Sequence, residues 1–288
     1  MIIVILGPTG SGKSDIALGL AAKINASIIN GDAFQVYEEL RIATNKPSEE
    51  ILSKCPHFLY DFVPLDSSYS VAEYQQDARS VIDFLLNGKQ NIIIEGGTGL
   101  YVRAALFDYV FSSLPKLDES KYDGFDNGTL FEKLMAIDPK SAARIHPNNR
   151  RRIMRALAIA DAGGLAKSEL EDKQAHKPIY EAFYFAVDMD REELHRKIDD
   201  RVDWMFANGL LEETLPLIEK YGRDASAFQA IGVHELFDYI DKKKTLGETI
   251  ASIKLDTRHY VRRQMTFIRH QFDVNWVKSE EEILIALK

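Results

Sequence analysis

Residues 1–14 read MIIVILGPTGSGKS: six apolar residues, most of them β-branched, running straight into a glycine-rich turn. A continuous apolar run of that length is what a strand buried on both faces of a parallel sheet requires. The turn, Gly7-Pro8-Thr9-Gly10-Ser11-Gly12-Lys13-Ser14, fits the pattern G-x-x-x-x-G-K-[ST]. Its glycines let backbone N–H groups converge on phosphate oxygens, a lysine adds a point charge, and the hydroxyl beside it can meet Mg²⁺. The pattern needs a strand before it and a helix after it. Ile16, Leu20 and Ile24, flanked by Ala17 and Ala21, form the apolar stripe of such a helix over 14–24.

Working outward, 26–30 (ASIIN) predicts a second buried strand ending at Gly31-Asp32. Val71, Tyr74, Ala78, Val81, Ile82 and Leu85 predict a helix over 71–86, and 91–95 (NIIIE) a further strand closed by Gly96-Gly97. This alternation implies an α/β fold, a P-loop NTPase-like parallel sheet with helices on both faces. Beyond Leu106 the chain turns polar and then helical, and it returns to a strand pattern at 183–187 (FYFAV). The expected organisation is a catalytic core from 1–111 and 181–288, interrupted by a mostly helical insertion domain over 112–180.

The chain has 288 residues, 45% hydrophobic and 28% charged, an ordinary globular composition that excludes collagen-like and disordered classes. No apolar stretch approaches the roughly 20 residues of a membrane span. A single cysteine, Cys55, excludes an internal disulfide framework and suits a reducing compartment, so a cytoplasmic protein is expected. The net charge of −8 argues against affinity resting on overall attraction to phosphate. Two local runs oppose that sum. Residues 144–155 hold five arginines, one histidine and no acid; residues 254–270 hold five basic side chains, two histidines and one acid. Each run alone reads as a solvated helix face; together they suggest a polyanionic partner.

A phosphate loop identifies a site and not a reaction, and its default reading is an ATP-binding kinase or NTPase. Asp32 and Thr98 both follow strands at the carboxyl edge, where open α/β sheets bind ligands. Asp32 can serve as a general base or simply cap a turn, and Thr98 can cap a helix. Arg258, Arg262 and Arg269 fall within about 40° of one another on a helix, a face suited to phosphate contact. Tyr260 and Phe267 read more readily as core residues than as base-stacking platforms. His146, His195 and His234 show no metal-ligand spacing.

Taken with the phosphate loop, several further segments resemble the tRNA dimethylallyltransferase family in order along nearly the whole chain. They are 31–37 (GDAFQVY), 43–47 (ATNKP), 96–101 (GGTGLY), 146–152 (HPNNRRR), 201–205 (RVDWM), 229–232 (QAIG) and 257–264 (TRHYVRRQ). The resemblance implies a Mg²⁺-dependent monomeric prenyltransferase that moves a dimethylallyl group from dimethylallyl diphosphate to the N6 amine of the tRNA adenosine 3′ of the anticodon. By this carry-over Asp32 is the base, and Thr98 with Arg201 or Arg258 assists catalysis. Gly7, Thr9, Gly10, Ser11, Gly12, Lys13 and Ser14 hold the diphosphate, with Ser14 on the metal. Asp32, Ala33, Phe34, Gln35, Thr98, Arg151, Arg152, Arg155, Gln229, Gly232, Arg262 and Arg263 contact tRNA, which the insertion domain grips. Ala33 stands where the family pattern has serine, 43–46 reads ATNK in place of glycine-threonine-alanine-lysine, and 112–126 is short for the pattern.

Three rivals remain at this level. An adenine-nucleotide isopentenyltransferase shares the donor, a small-molecule P-loop kinase would need ATP and an acceptor hydroxyl, and a non-enzymatic RNA-binding module would leave the phosphate loop and Asp32 without purpose.

Overall fold

The computed structural model describes residues 1–111, 118–162, 166–172 and 175–288. It forms two compact units, one of 1–106 with 180–288 and one of 107–179. The short stretch noted at 112–126 falls outside the described residues over 112–117.

The larger unit is built on six parallel strands: β1 (Ile2–Leu6), β2 (Ala26–Asn30), β3 (His57–Phe58), β4 (Asn91–Gly96), β5 (Ala182–Val187) and β6 (Asn275–Val277), in the order β3-β2-β4-β1-β5-β6. Every residue of β1 and β2 is buried, as their unbroken apolar runs require. β3 and β6 have no counterpart in the sequence pattern. They are two and three residues long and sit at the sheet edges, too short to show a period.

Four helices come from the first half of this unit: α1 (Lys13–Ile24), α2 (Glu49–Leu52), α3 (Val71–Asn87) and α4 (Gly99–Leu106). Ile16, Leu20 and Ala21 of α1 pack on Ile3, Ile5, Ile28 and Ile93 of the sheet. α3 starts where Ser70 and Glu73 form a capping box, the Ser70 hydroxyl accepting Glu73 N–H and the Glu73 carboxylate accepting Ser70 N–H at 2.7 Å.

The smaller unit carries α5 (Asn127–Ile137), α6 (Pro139–Arg144), α7 (Arg150–Asp161) and α8 (Lys167–Asp172). It has its own core of Leu130, Leu134, Ile153, Met154 and Leu157. Arg150 pins the turn before α5, donating to the carbonyls of Tyr122 and Phe125, both at 2.7 Å. Arg151 and Arg152 stay exposed on α7, and Arg155 is half-buried.

The chain then adds α9 (Arg191–Ala207), α10 (Leu210–Tyr221), α11 (Leu236–Ile240), α12 (Leu246–Gln271) and α13 (Glu280–Ala286) to the larger unit. α12 begins on a second capping box, Thr245 with Glu248. Residues 33–45, which contain no regular element, are nonetheless fixed. Val36, Tyr37, Leu40 and Ala43 share a core with Met205, Leu210, Phe228 and Val233.

β2 and β4 end in closer contact than strands with side chains allow. Gly31 N–H donates to the Glu95 carbonyl at 2.7 Å, and a Cβ on Gly96 would lie 2.3 Å from the Gly31 carbonyl carbon. That carbon, with the Gly31 carbonyl oxygen at 2.3 Å and Cα at 2.5 Å, is backbone, so nothing can rotate aside. Gly96→Ala is therefore expected to destabilise the protein by at least about 3 kcal/mol, the upper end for overpacking, read as a lower urea midpoint.

Candidate active site at the carboxyl edge of the sheet

Three loops meet where β1, β2 and β4 end. In the first, Gly10 and Gly12 have φ of 84° and 80°, a left-handed conformation that side chains resist. Gly12 caps α1 without a side-chain hydrogen bond, in contrast to the boxes that close α3 and α12. The first N–H groups of α1 are thus left for an anion, reinforced by the helix dipole. Ser11 Oγ is buried and has no hydrogen-bond partner among the described residues. An orphaned hydroxyl in this position suits a loop built around a ligand.

The second loop carries Asp32. Asn30 accepts the Asp32 N–H at 2.8 Å and donates back to the Asp32 carbonyl at 3.0 Å. Asp32 Oδ1 accepts the Phe34 N–H at 2.9 Å, so Oδ2 remains available as an acceptor. The third loop supports it: Thr98 Oγ1 accepts the Ala33 N–H at 3.0 Å, and Thr98 N–H donates to the Gly31 carbonyl at 3.1 Å.

Gln264 of α12 ties the first loop to the third. Its Oε1 accepts the Thr9 N–H at 3.1 Å and its Nε2 donates to the Gly97 carbonyl at 3.0 Å, with the residue 4% exposed. Gly97 and Gly99 leave room for α12 here. A Cβ at Gly97 would fall 2.2 Å from Gln264 Nε2, and one at Gly99 2.4 Å from the Phe267 ring.

A cavity of 230 Å³ opens beside these loops, lined by Thr9, Asp32, Phe34, Arg201, Tyr260 and Arg263 among others. Burial pulls the Arg201 guanidinium down to about 10, with the Asp32 carboxylate acting against that shift. Burial, followed by the Asp32 charge, pushes Tyr260 up to about 12, so its hydroxyl stays protonated at neutral pH. Tyr260, read from sequence as a core aromatic, is a cavity wall. Gln229, Ala230 and Ile231 complete one side, while Gly232 N–H is held by Glu235 at 2.7 Å.

The two arginines expected to serve the same role are separated. Arg201 shares the cavity with Asp32, whereas Arg258 pairs with Asp199 and lines a second, 570 Å³ groove between α9 and α12. Arg262 and Arg269 lie in that groove with it, as their common helix face predicts, and Arg263 points to the Asp32 cavity. Gln35 is 9% exposed, its side-chain N–H groups spent on the Thr44 and Asn45 carbonyls at 3.1 and 3.0 Å, so it holds the cavity wall.

Two acids with no sequence signature shape the site. Glu213 of α10 accepts the N–H groups of Arg41, Ile42 and Ala43 at 2.8, 2.7 and 2.9 Å, fixing the loop that brings Ala43 and Thr44 to the cavity. Glu95 lies behind Ser14, whose hydroxyl is 3.4 and 3.3 Å from its two carboxylate oxygens. Among the described residues no group of three or more His, Cys, Asp or Glu could hold a metal. A hydroxyl beside one carboxylate, next to an anion-binding loop, does fit Mg²⁺, which binds few protein oxygens and completes its shell with water and phosphate.

A phosphate loop on a parallel sheet, with a carboxylate and a buried arginine sharing one cavity, defines a P-loop-type group transferase. Similarity to known proteins supplies the family. The IPP transferase profile matches residues 35–271. A tRNA dimethylallyltransferase of Anoxybacillus flavithermus is 41% identical over 98% of this chain and 92% of its own length, and that of Bacillus subtilis 37% identical over 100% and 93%. Among solved structures, the tRNA isopentenylpyrophosphate transferase of Bacillus halodurans superposes with a TM-score of 0.74 at 32% identity, covering 99% of this chain and 93% of that one. A eukaryotic dimethylallyltransferase acting on tRNA gives 0.83 at 28% identity, covering 96% and 73%. The chain belongs to the IPP transferase family of tRNA dimethylallyltransferases.

Gln264→Leu keeps the volume but strands the Thr9 N–H and the Gly97 carbonyl. At about 1–3 kcal/mol for each unsatisfied buried group, the variant is expected to lose at least about 2 kcal/mol by urea denaturation.

Proposed function

We propose that the protein transfers a dimethylallyl group from dimethylallyl diphosphate to the exocyclic N6 amine of the tRNA adenosine 3′ of the anticodon. The observation that carries this reading is the shared cavity: Thr9 of the phosphate loop, the Asp32 carboxylate and the Arg201 guanidinium line one space. The loop can hold a diphosphate, the carboxylate can take a proton from an attacking amine, and the guanidinium can offset charge on the leaving group.

The amine lone pair forms the new C–N bond to the first prenyl carbon as the C–O bond to diphosphate breaks, the bonding electrons leaving with the diphosphate. The proton that the nitrogen must lose goes to Asp32 Oδ2, the carboxylate oxygen not held by Phe34 N–H. Arg201, Lys13 and the open N-terminus of α1 offset the charge that builds on the leaving group. Gly7, Gly10, Ser11 and Gly12 shape that cradle, and Thr98 acts on Asp32 through the Ala33 N–H. Ser14 would hold Mg²⁺ here, and the charge so supplied would make diphosphate a better leaving group.

The adenine is received by Phe34, Gln229 and Arg263, which line the cavity, with Ala33 and Gln35 setting the loop of Phe34 and Gly232 shaping the turn after Gln229. Arg262, on the second groove with Arg258, meets RNA phosphate. Arg151, Arg152 and Arg155 on the insertion grip the anticodon stem, and phosphate contacts of this kind are local, so they operate despite the net charge of −8. No helix among the described residues is long and apolar enough to cross a membrane. We place the enzyme in the cytoplasm, acting as a monomer.

Incubation with Mg²⁺, labelled dimethylallyl diphosphate and either unmodified tRNA or AMP tests the acceptor: label enters tRNA alone. Label in AMP would move the protein to the free-nucleotide enzymes, and label in neither, with ATP consumed instead, would make it a kinase. Asp32→Asn is expected to cut transfer by at least about 100-fold, the low end of general-base contributions, while tRNA binding stays near wild type. Arg201→Ala should cost more turnover than Arg258→Ala.

Replacing Arg151 and Arg152 together by alanine should weaken tRNA binding and reduce its dependence on salt, by roughly one unit of slope for each phosphate no longer neutralised. Binding titrations at several salt concentrations read this, and an unchanged slope would remove both residues from the interface.

A further inference from the structure

Glu95 occupies the end of β4, next to β1 in the sheet and paired in register with Ile5 and Asn30. It is 3% exposed. Its hydrogen bonds come from two hydroxyls: Tyr60 at 2.9 Å, and Ser14 at 3.3 to 3.4 Å. Among the described residues no lysine, arginine or histidine forms an ion pair with it. A carboxylate withdrawn from water is costly unless a cation or several strong donors compensate it. One good hydroxyl bond and one long one fall short of that.

The direction in which the charge can be compensated is set by Ser14. Ser14 is exposed at the start of α1 and stands between the buried Glu95 carboxylate and the surface, while Tyr60 covers another side. Adjacent ligands of an octahedral Mg²⁺, at about 2.0–2.1 Å from the ion, stand roughly 2.9 Å apart. The Ser14 hydroxyl and the Glu95 oxygens are within about half an ångström of that spacing.

We propose that Glu95 and Ser14 are adjacent ligands of a divalent-cation site that fills before the diphosphate donor arrives. Two protein oxygens, one of them charged, leave the remaining positions to water, which the donor's phosphate oxygens would then replace. The inference deepens the reading of the phosphate loop as the donor site and rests on that reading only for the donor's arrival, not for the binding of the metal. Its physical content is that the carboxylate gives the empty enzyme an affinity for Mg²⁺ that a serine hydroxyl alone cannot supply.

The test uses the full chain, stripped of metal, with neither donor nor tRNA. Mn²⁺ is titrated and free ion followed by electron paramagnetic resonance. Wild type is expected to bind one Mn²⁺, Mg²⁺ to displace it, and both Glu95→Gln and Ser14→Ala to bind at least tenfold more weakly. Glu95→Gln leaves one oxygen to accept from Tyr60, turns the other position into an N–H donor toward the Ser14 hydroxyl, and removes the charge. Thermal unfolding in chelator guards against a folding artefact: Glu95→Gln should be no less stable than wild type there, and Mg²⁺ should raise the melting temperature of wild type but not of the variant. Wild type that binds no Mn²⁺, or a Glu95→Gln variant with unchanged affinity and an unchanged Mg²⁺-induced rise, would overturn the site and give Glu95 a purely structural role. The outcomes separate from those of the transfer assay. Prenyl transfer with unaltered Mn²⁺ binding in Glu95→Gln removes the cation site and leaves the activity, while Mn²⁺ held by Glu95 in a protein that transfers no prenyl group does the reverse.

Discussion

The amide of Gln264 is the constraint on which the site depends. A single buried side chain both accepts from Thr9 and donates to Gly97, so the phosphate loop and the loop after β4 cannot move independently. From Gly97 the constraint passes on through hydrogen bonds. Thr98 holds the Gly31 carbonyl and the Ala33 N–H, and the loop bearing Asp32 is thereby placed relative to the phosphates. Glutamine suits the position because its amide offers a donor and an acceptor in one rigid plane. The glycines at 97 and 99 are the counterpart of that contact, since α12 lies where their side chains would be.

α12 serves two surfaces. Thr257 and Tyr260 face the cavity that contains Asp32, while Arg258, Arg262 and Arg269 face the groove shared with α9. A helix advances about 100° per residue, so neighbours such as Arg262 and Arg263 can address different spaces. The arginine spacing is therefore readable as one face of a helix from the sequence. Which space that face borders is not, because it depends on where α9 packs. This is why Arg201 and Arg258 are indistinguishable as partners of Asp32 until the tertiary arrangement separates them.

The legible parts of the fold are those with a strong local signature. β1, β2 and β4 are apolar runs because both sides of a parallel sheet are covered, β5 is apolar although only its second half is buried, and α1 and α3 carry clear stripes. β3 and β6 take their existence from edge pairing alone. At the site, the glycine pattern marks the phosphate loop and the family resemblance marks Asp32, but Glu95 and Glu213 are invisible. Nothing local marks an acid whose partners are Tyr60, 35 residues away, or the backbone of 41–43, some 170 residues away. Tyr260 escapes a sequence reading for a related reason: an aromatic at helical spacing looks the same whether it faces a core or a cavity.

The Thr9–Gln264 contact spans 255 residues of sequence. At a synthesis rate of about 5–20 residues per second, the phosphate loop leaves the ribosome roughly 10–50 s before the helix that fastens it. During that interval β1 and the glycine turn exist without Gln264, and Asp32 is without the cavity wall that Thr257, Tyr260 and Arg263 supply. A nascent chain therefore carries the phosphate-binding sequence but not the assembled chemistry. The site is therefore completed only when the last tenth of the chain has been made.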